Sequence, residues 1–312
     1  MEKYVQGALA GDKRSAAKLI SLVENDGPEK QKVLSQLHPH TGKAYIIGVT
    51  GSPGAGKSSL TDCLTKEIRK LGLTVGIIAV DPSSPFSGGA LLGDRIRMQD
   101  HALDKGVFIR SMGTRGSLGG LARSTKEAIR VLDAYGSNVI IVETVGVGQS
   151  ELDIMDVADT TIVVLTPGAG DHIQTIKAGI MEIADIFVVN KADLDGAEKV
   201  RHEVLGMLDL TCHGNGWRPP VLLTVTRTEQ GIVELIELVN KHKAFLESSG
   251  LFQQARKQRL HTEVLEVVEH VLRERIHNSV EANQEIAKLV AKVELREIDP
   301  YVAAEEIISH GI

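Results

Sequence analysis

An α/β fold, a doubly wound and largely parallel sheet flanked by helices, is what this 312-residue sequence predicts, and three observations carry it. Short apolar runs recur seven times between residues 44 and 225, mostly separated by stretches with helical periodicity. That is the pattern of strands buried on both faces. A glycine-rich turn directly follows the first run, at the strand end where such sheets hold ligands. Before and after this region only helical spacing remains.

The elements follow in order. Val5, Ala8, Leu9, Ala16, Leu19, Ile20 and Val23 stand at helical spacing, broken at Gly11-Asp12 and stopped by Asn25-Asp26-Gly27-Pro28. A leader of about two helices is expected there. Strands are expected at 44–50, 75–80, 107–110, 138–142, 160–165, 186–190 and 221–225. Beyond Ser248-Ser249-Gly250, Leu260, Val264, Leu265, Val268, Val271, Leu272 and Ile276 form a stripe at helical spacing, with further helical segments at 286–293 and from Pro300. A sheet already wound on both faces cannot cover that stripe, so it either forms a separate helical cap or packs on another subunit. The expected organisation is an N-terminal helical extension (1–42), the sheet domain (43–248) and a C-terminal helical region (249–312).

Composition narrows the class. With 35 basic and 41 acidic side chains the net charge is −6, so no sequence-wide cationic field exists to draw nucleic acid or an anionic membrane. No run approaches the ~20 apolar residues of a spanning helix, and the first residues carry no basic-then-apolar signal. Cys63 and Cys212 make neither a disulfide framework nor a CxxC metal pattern. A cytoplasmic protein that binds neither nucleic acid nor membrane is expected.

The chemistry starts at Gly51-Ser52-Pro53-Gly54-Ala55-Gly56-Lys57-Ser58, which satisfies the phosphate-loop pattern G-x-x-x-x-G-K-[ST]. Its glycines let backbone N–H groups turn toward phosphate oxygens, Lys57 reaches the β/γ-phosphates, and the Ser58 hydroxyl ligates Mg²⁺. Ser59 opens the helix whose positive end lies beneath the same phosphates. Asn190-Lys191-Ala192-Asp193 closes the sixth expected strand with the N-K-x-D guanine signature. The Asp193 carboxylate accepts from guanine N1–H and the 2-amino group, donors that adenine lacks, so GTP is expected over ATP. Glu143 ends the fourth strand three residues before Gly146, the place of a γ-phosphate sensor. Glu143 is expected in the Mg²⁺ shell through a water, with the Gly146 N–H on the γ-phosphate. Asp81, followed by proline, and Asp94, beside a Gly-rich stretch, are further acids for the metal or for water. An Asx turn and a helix N-cap are their ordinary alternatives. Catalytic roles are thus expected of Lys57, Glu143, Asp81 and Asp94, and metal binding of Ser58, Asp81, Asp94 and Glu143. Val147 follows Gly146 and cannot orient a water as glutamine does, so slow intrinsic hydrolysis is expected. Arg95, Arg97, Arg110 and Arg115 are each possible sources of transition-state charge, with solvation or ordinary ion pairing as the default.

Taken with Val80-Asp81-Pro82-Ser83-Ser84, Gly93-Asp94-Arg95-Ile96-Arg97-Met98 and Glu143-Thr144-Val145-Gly146-Val147-Gly148-Gln149-Ser150-Glu151, these motifs resemble one family over residues 2 to 310. It is that of the methylmalonyl-CoA mutase-associated GTPases of the MeaB/ArgK type. The resemblance implies a P-loop GTPase using GTP/GDP and Mg²⁺, homodimeric through its C-terminal arm. It also implies a chaperone of an adenosylcobalamin-dependent acyl-CoA mutase, in which the GTP cycle gates cofactor loading and protects the mutase. Residues 166–177 would be a further switch addressed to the mutase. Where relatives carry a Ser-Ala pair touching guanine O6 through the backbone, this chain has Val225-Thr226-Arg227, from which Thr226 still offers an N–H. Two other classes stay in view, a metallochaperone GTPase delivering nickel and an ArgK-type kinase or transport-associated ATPase. The first calls for a His-rich tract, whereas His38-Pro39-His40 and Cys212-His213 stand isolated; the second calls for an acceptor base with no signature here.

Overall fold

The computed structural model describes residues 1–81, 101, 103–113, 123–144, 152–168, 179–210, 216–282 and 284–309. Asp94, Gly146, Val147, Arg95, Arg97, Arg115, Cys212 and most of 166–177 lie outside the described residues, as does the side chain of Asp81. Among the described residues seven strands form one sheet: β1 (Tyr45–Gly51), β2 (Val75–Asp81), β3 (Val107–Gly113), β4 (Val139–Glu143), β5 (Thr160–Leu165), β6 (Ile186–Asn190) and β7 (Val221–Thr224). Their order is β3-β2-β4-β1-β5-β6-β7 and every pairing is parallel. The fold is an α/β fold built on a wholly parallel sheet.

The central strands β4, β5 and β6 are buried at every position, which is why they read as unbroken apolar runs. β3 runs three residues past its expected end. It is an edge strand, and Arg110 and Ser111 are only partly covered, so polar residues there do not interrupt pairing with β2. Arg110 donates to Ser21 Oγ at 3.2 Å and pairs with Glu24, so it ties the sheet edge to the N-terminal helices rather than serving phosphate chemistry.

Those helices number three, where two were expected: α1 (Glu2–Leu9), α2 (Lys13–Glu24) and α3 (Lys30–Leu37). The Asp12 carboxylate starts α2 by accepting from the Ser15 N–H at 2.9 Å. Gly27-Pro28 ends one helix, but Val33 and Leu37, one turn apart, give the next its own apolar face. Val5, Ala8, Ala16, Leu19, Ile20, Val33 and Leu37 join one core with Ile129 and Leu132 of the helix after β3, Arg123–Tyr135. The helices therefore belong to the same compact unit as the sheet, Met1–Ser249. On that same helix the Asp133 carboxylate gathers the N–H groups of Gly42, Lys43 and Ala44 at 2.5, 3.2 and 2.9 Å, and so aims the chain into β1. Glu127 pairs with Lys30 at 2.8 Å, and burial pushes its carboxyl up from the ordinary range.

At the amino-terminal end of the sheet lies a polar network. Thr160 Oγ1 meets Tyr45 Oη at 2.5 Å and His242 Nδ1 at 2.8 Å, while His242 Nε2 is 3.3 Å from Asp185 Oδ1. His242, in the helix Ile232–Ser248, is almost wholly buried, and that burial pushes it down to about 4 from 6.5, partly opposed by Asp159. From pH 6.5 down to 4 the unfolded chain therefore takes up a proton that the folded one refuses. Stability should fall by about 1.4 kcal/mol for each pH unit in that window, with no further loss from this group below it. His242→Gln keeps a polar partner for Thr160 and removes the titration, so its calorimetric acid limb should be flatter than the native one. Parallel limbs would contradict this assignment.

The second compact unit, Gly250–Ile312, holds the helices Leu251–Ala282, Gln284–Glu294 and Pro300–Ser309. In the single chain Leu260, Val264, Leu265, Val268 and Leu272 are 43–60 % exposed. Among the described residues no helix is long and apolar enough to cross a membrane.

Candidate functional site

The phosphate loop bridges β1 and α4 (Lys57–Lys70). Two of its glycines are compelled by space and backbone together. Gly51 has φ 132°, and a Cβ there would lie 2.1 Å from the Val164 carbonyl oxygen on β5. Gly56 has φ 93°, and its Cβ would strike the Asn190 amide at 2.3 Å. The loop thus closes against the ends of two neighbouring strands.

Lys57, 6 % exposed, arches back over the loop, its ammonium donating to the carbonyls of Gly51 at 2.7 Å and Ser52 at 3.0 Å. Ser58 Oγ donates to Glu143 Oε1 at 2.5 Å. Glu143 is carried there by register, since β4 pairs with β1 so that Val49 stands opposite Glu143. The next residue fastens the junction: the Thr144 N–H donates to the Val49 carbonyl at 3.0 Å and its hydroxyl to Thr50 Oγ1 at 2.9 Å. A hydroxyl and a carboxylate in contact at the loop are hard oxygen donors of the kind Mg²⁺ takes, and they fit that ion. Asp81 ends β2, opposite Gly113 of β3, two strands from the loop. Among the described residues there is no cluster of three or more metal-ligating side chains.

Asn190 joins the phosphate loop to the strand ends beyond it. Its Nδ2 donates to the Ala55 carbonyl at 2.8 Å, while its Oδ1 accepts from Thr224 Oγ1 at 3.2 Å and the Thr226 N–H at 3.3 Å. Lys191, held at φ 58°, donates to the Gly54 carbonyl at 2.8 Å. Asp193 faces Arg227 at 3.9 Å across the mouth of a cavity of about 620 Å³. Lys191, Asp193 and Leu194 line one side and Val225, Thr226, Arg227 and Glu229 another. The floor is one face of α4, made of Ser58, Ser59, Asp62, Cys63 and Lys66.

The structure therefore brings the loop, Glu143, Asn190, Lys191, Asp193, Val225, Thr226 and Arg227 to the carboxyl-terminal end of the strands. Sequence reasoning passed over Thr224, Thr144, Asp62, Cys63 and Lys66. The last three were accessible: positions 58, 59, 62, 63 and 66 repeat at helical spacing, so a helix that begins at the phosphate loop extends the same face beneath the ligand.

Comparison with known proteins agrees. The family model described as methylmalonyl-CoA mutase-associated GTPase MeaB matches residues 16–283. A protein of Pyrococcus abyssi named as a GTPase is 51 % identical, covering 100 % of this chain and 97 % of its own. The GTPase ArgK of Escherichia coli is 39 % identical over 80 % of this chain and 77 % of its own. A crystal structure described as a LAO/AO transport system kinase superposes with TM-score 0.73 at 28 % identity, covering 99 % of this chain and 96 % of that one. With the phosphate loop and the N-K-x-D residues meeting at one site and the family model spanning most of the length, this chain belongs to the MeaB family of mutase-associated GTPases.

Proposed function

We propose that the chain binds GTP with Mg²⁺, hydrolyses it slowly when alone, and uses this cycle as a homodimeric chaperone of an adenosylcobalamin-dependent acyl-CoA mutase. Methylmalonyl-CoA mutase is the first candidate, because the family is described by that association. The nucleotide part rests on Asn190, whose single amide joins the phosphate loop to the turn that carries Thr226. In this reading Lys57 neutralises the β/γ-phosphates, Asp193 reads guanine, and Thr226 supplies a backbone donor to its 6-oxo group. Ser58 and Glu143 hold Mg²⁺, the latter through a water, with Asp81 and Asp94 as further acids and the Gly146 N–H on the γ-phosphate. The ion would supply charge neutralisation of the leaving phosphate. Val147 in place of a water-orienting glutamine accounts for the slow rate. Residues 166–177 answer to the mutase.

Co-purification with candidate mutases, in GDP and in a non-hydrolysable GTP analogue, tests the partner: nucleotide-dependent retention is expected, and equal absence in both states sinks the chaperone reading. The exposed stripe on Leu251–Ala282 supports self-association. Light scattering should give a dimer for the full chain and a monomer for one ending at Ser249, with GDP affinity within about twofold of each other. A monomeric full chain, or a dimeric shortened one, removes the arm from the interface.

A further inference from the structure

The floor of the cavity holds a residue that no motif assigns. Cys63 is 4 % exposed and lies on the α4 face beneath the cavity, where its Sγ is 3.4 Å from the carbonyl oxygen of Thr226. A thiol is a weak donor and a carbonyl only accepts, so the S–H donates. Burial, helped by Asp62, pushes the thiol up to about 11, which keeps that proton on sulfur throughout the neutral range.

The carbonyl that Cys63 grips belongs to the peptide linking Thr226 to Arg227. Because a trans peptide is planar, with C=O and N–H opposed, fixing the carbonyl also fixes the Arg227 N–H in the opposite sense. The preceding N–H, that of Thr226, is held at 3.3 Å by Asn190 Oδ1. Two side chains from different elements, Cys63 of α4 and Asn190 of β6, thus set two consecutive peptide planes in the turn after β7. We propose that Cys63 is a positioning residue for base recognition, holding the Arg227 N–H, next to the Thr226 N–H that Asn190 Oδ1 accepts, in the orientation that reads the purine 6-oxo group. This rests on the guanine reading above and adds to it a side chain outside the nucleotide motifs.

The test separates position from mere packing by varying the base. GDP and IDP both carry the 6-oxo group; the diphosphate of 2-aminopurine riboside retains the 2-amino group and lacks the oxygen. Cys63→Ala should weaken GDP and IDP alike, by about threefold to tenfold, the range of one lost weak hydrogen bond. It should leave the 2-aminopurine nucleotide within about twofold, and Cys63→Ser, which keeps a donor, should restore most of the loss. An equal loss for all three nucleotides, or no loss for any, overturns the proposal. A measurement without change at position 63 stands beside it. In a Cys212→Ser background the infrared S–H stretch of the remaining thiol should lie below that of an unbonded thiol, and an unshifted band overturns the proposal even if Cys63→Ala fails to fold. Should the native protein bind ADP as tightly as GDP, the guanine reading itself fails; native discrimination together with an unselective Cys63→Ala removes only the role of Cys63.

Discussion

Lys57→Ala is expected to lower GTP and GDP affinity by at least about 1,000-fold, roughly 4 kcal/mol. Two effects combine. A buried ammonium beside phosphate makes charge-assisted hydrogen bonds, each worth about twice a neutral one. The same ammonium also holds the carbonyls of Gly51 and Ser52 across the loop, so its removal leaves two acceptors without that donor and loosens the cradle that Gly51 and Gly56 shape. Titration calorimetry with GDP measures the loss, and a native-like melting temperature would show that the sheet is intact. Affinity within tenfold of native would move the phosphates away from this loop.

Asp193→Asn should exchange one base for another. The carboxylate accepts from both guanine N1–H and the 2-amino group; an amide turns one of these acceptors into a donor facing a donor. A loss of about 100-fold for GTP, roughly 3 kcal/mol, follows, with a gain for xanthosine triphosphate, whose 2-oxo group accepts. The contact from Arg227 does not alter this expectation, since at 3.9 Å with one partner 87 % exposed it is a surface pair of small worth. Competition binding with GTP, XTP and ATP gives the result, and equal native affinity for ATP and GTP would remove Asp193 from base recognition.

Most of the sheet was legible because its strands are buried on both faces, and such strands announce themselves without help from their neighbours. Thr160–Leu165 and Ile186–Asn190 coincide with the expected runs, whereas the edge strand β3 hides its last residues behind Arg110 and Ser111. The N-terminal helices were visible as amphipathic segments, but periodicity names an apolar face and not its partner. That Leu19 and Ile20 share a core with Ile129 and Leu132 depends on contacts more than 100 positions apart. The site divides in the same way. Gly51, Lys57, Asn190 and Asp193 belong to motifs whose spacing is local, while the Ser58–Glu143 contact exists because β4 inserts between β1 and β2. Thr224 carries no motif at all; it enters through strand register.

The protein's single tryptophan, Trp217, sits at the end of the sheet away from the nucleotide motifs. Its indole N–H donates at 2.9 Å to the carbonyl of Asp185, just ahead of β6, and its ring lies 4.8 Å from that of His242 between centroids. Asn190 closes the other end of the same strand, roughly 15 Å away at the rise of an extended chain. Intrinsic emission is consequently a reporter of the amino-terminal end of the sheet: it follows denaturation and quenching by a protonated imidazole, out of contact with base and phosphates. Equilibrium melts can be followed through it in the presence of nucleotide, while ligand titrations call for a fluorophore carried by the nucleotide itself.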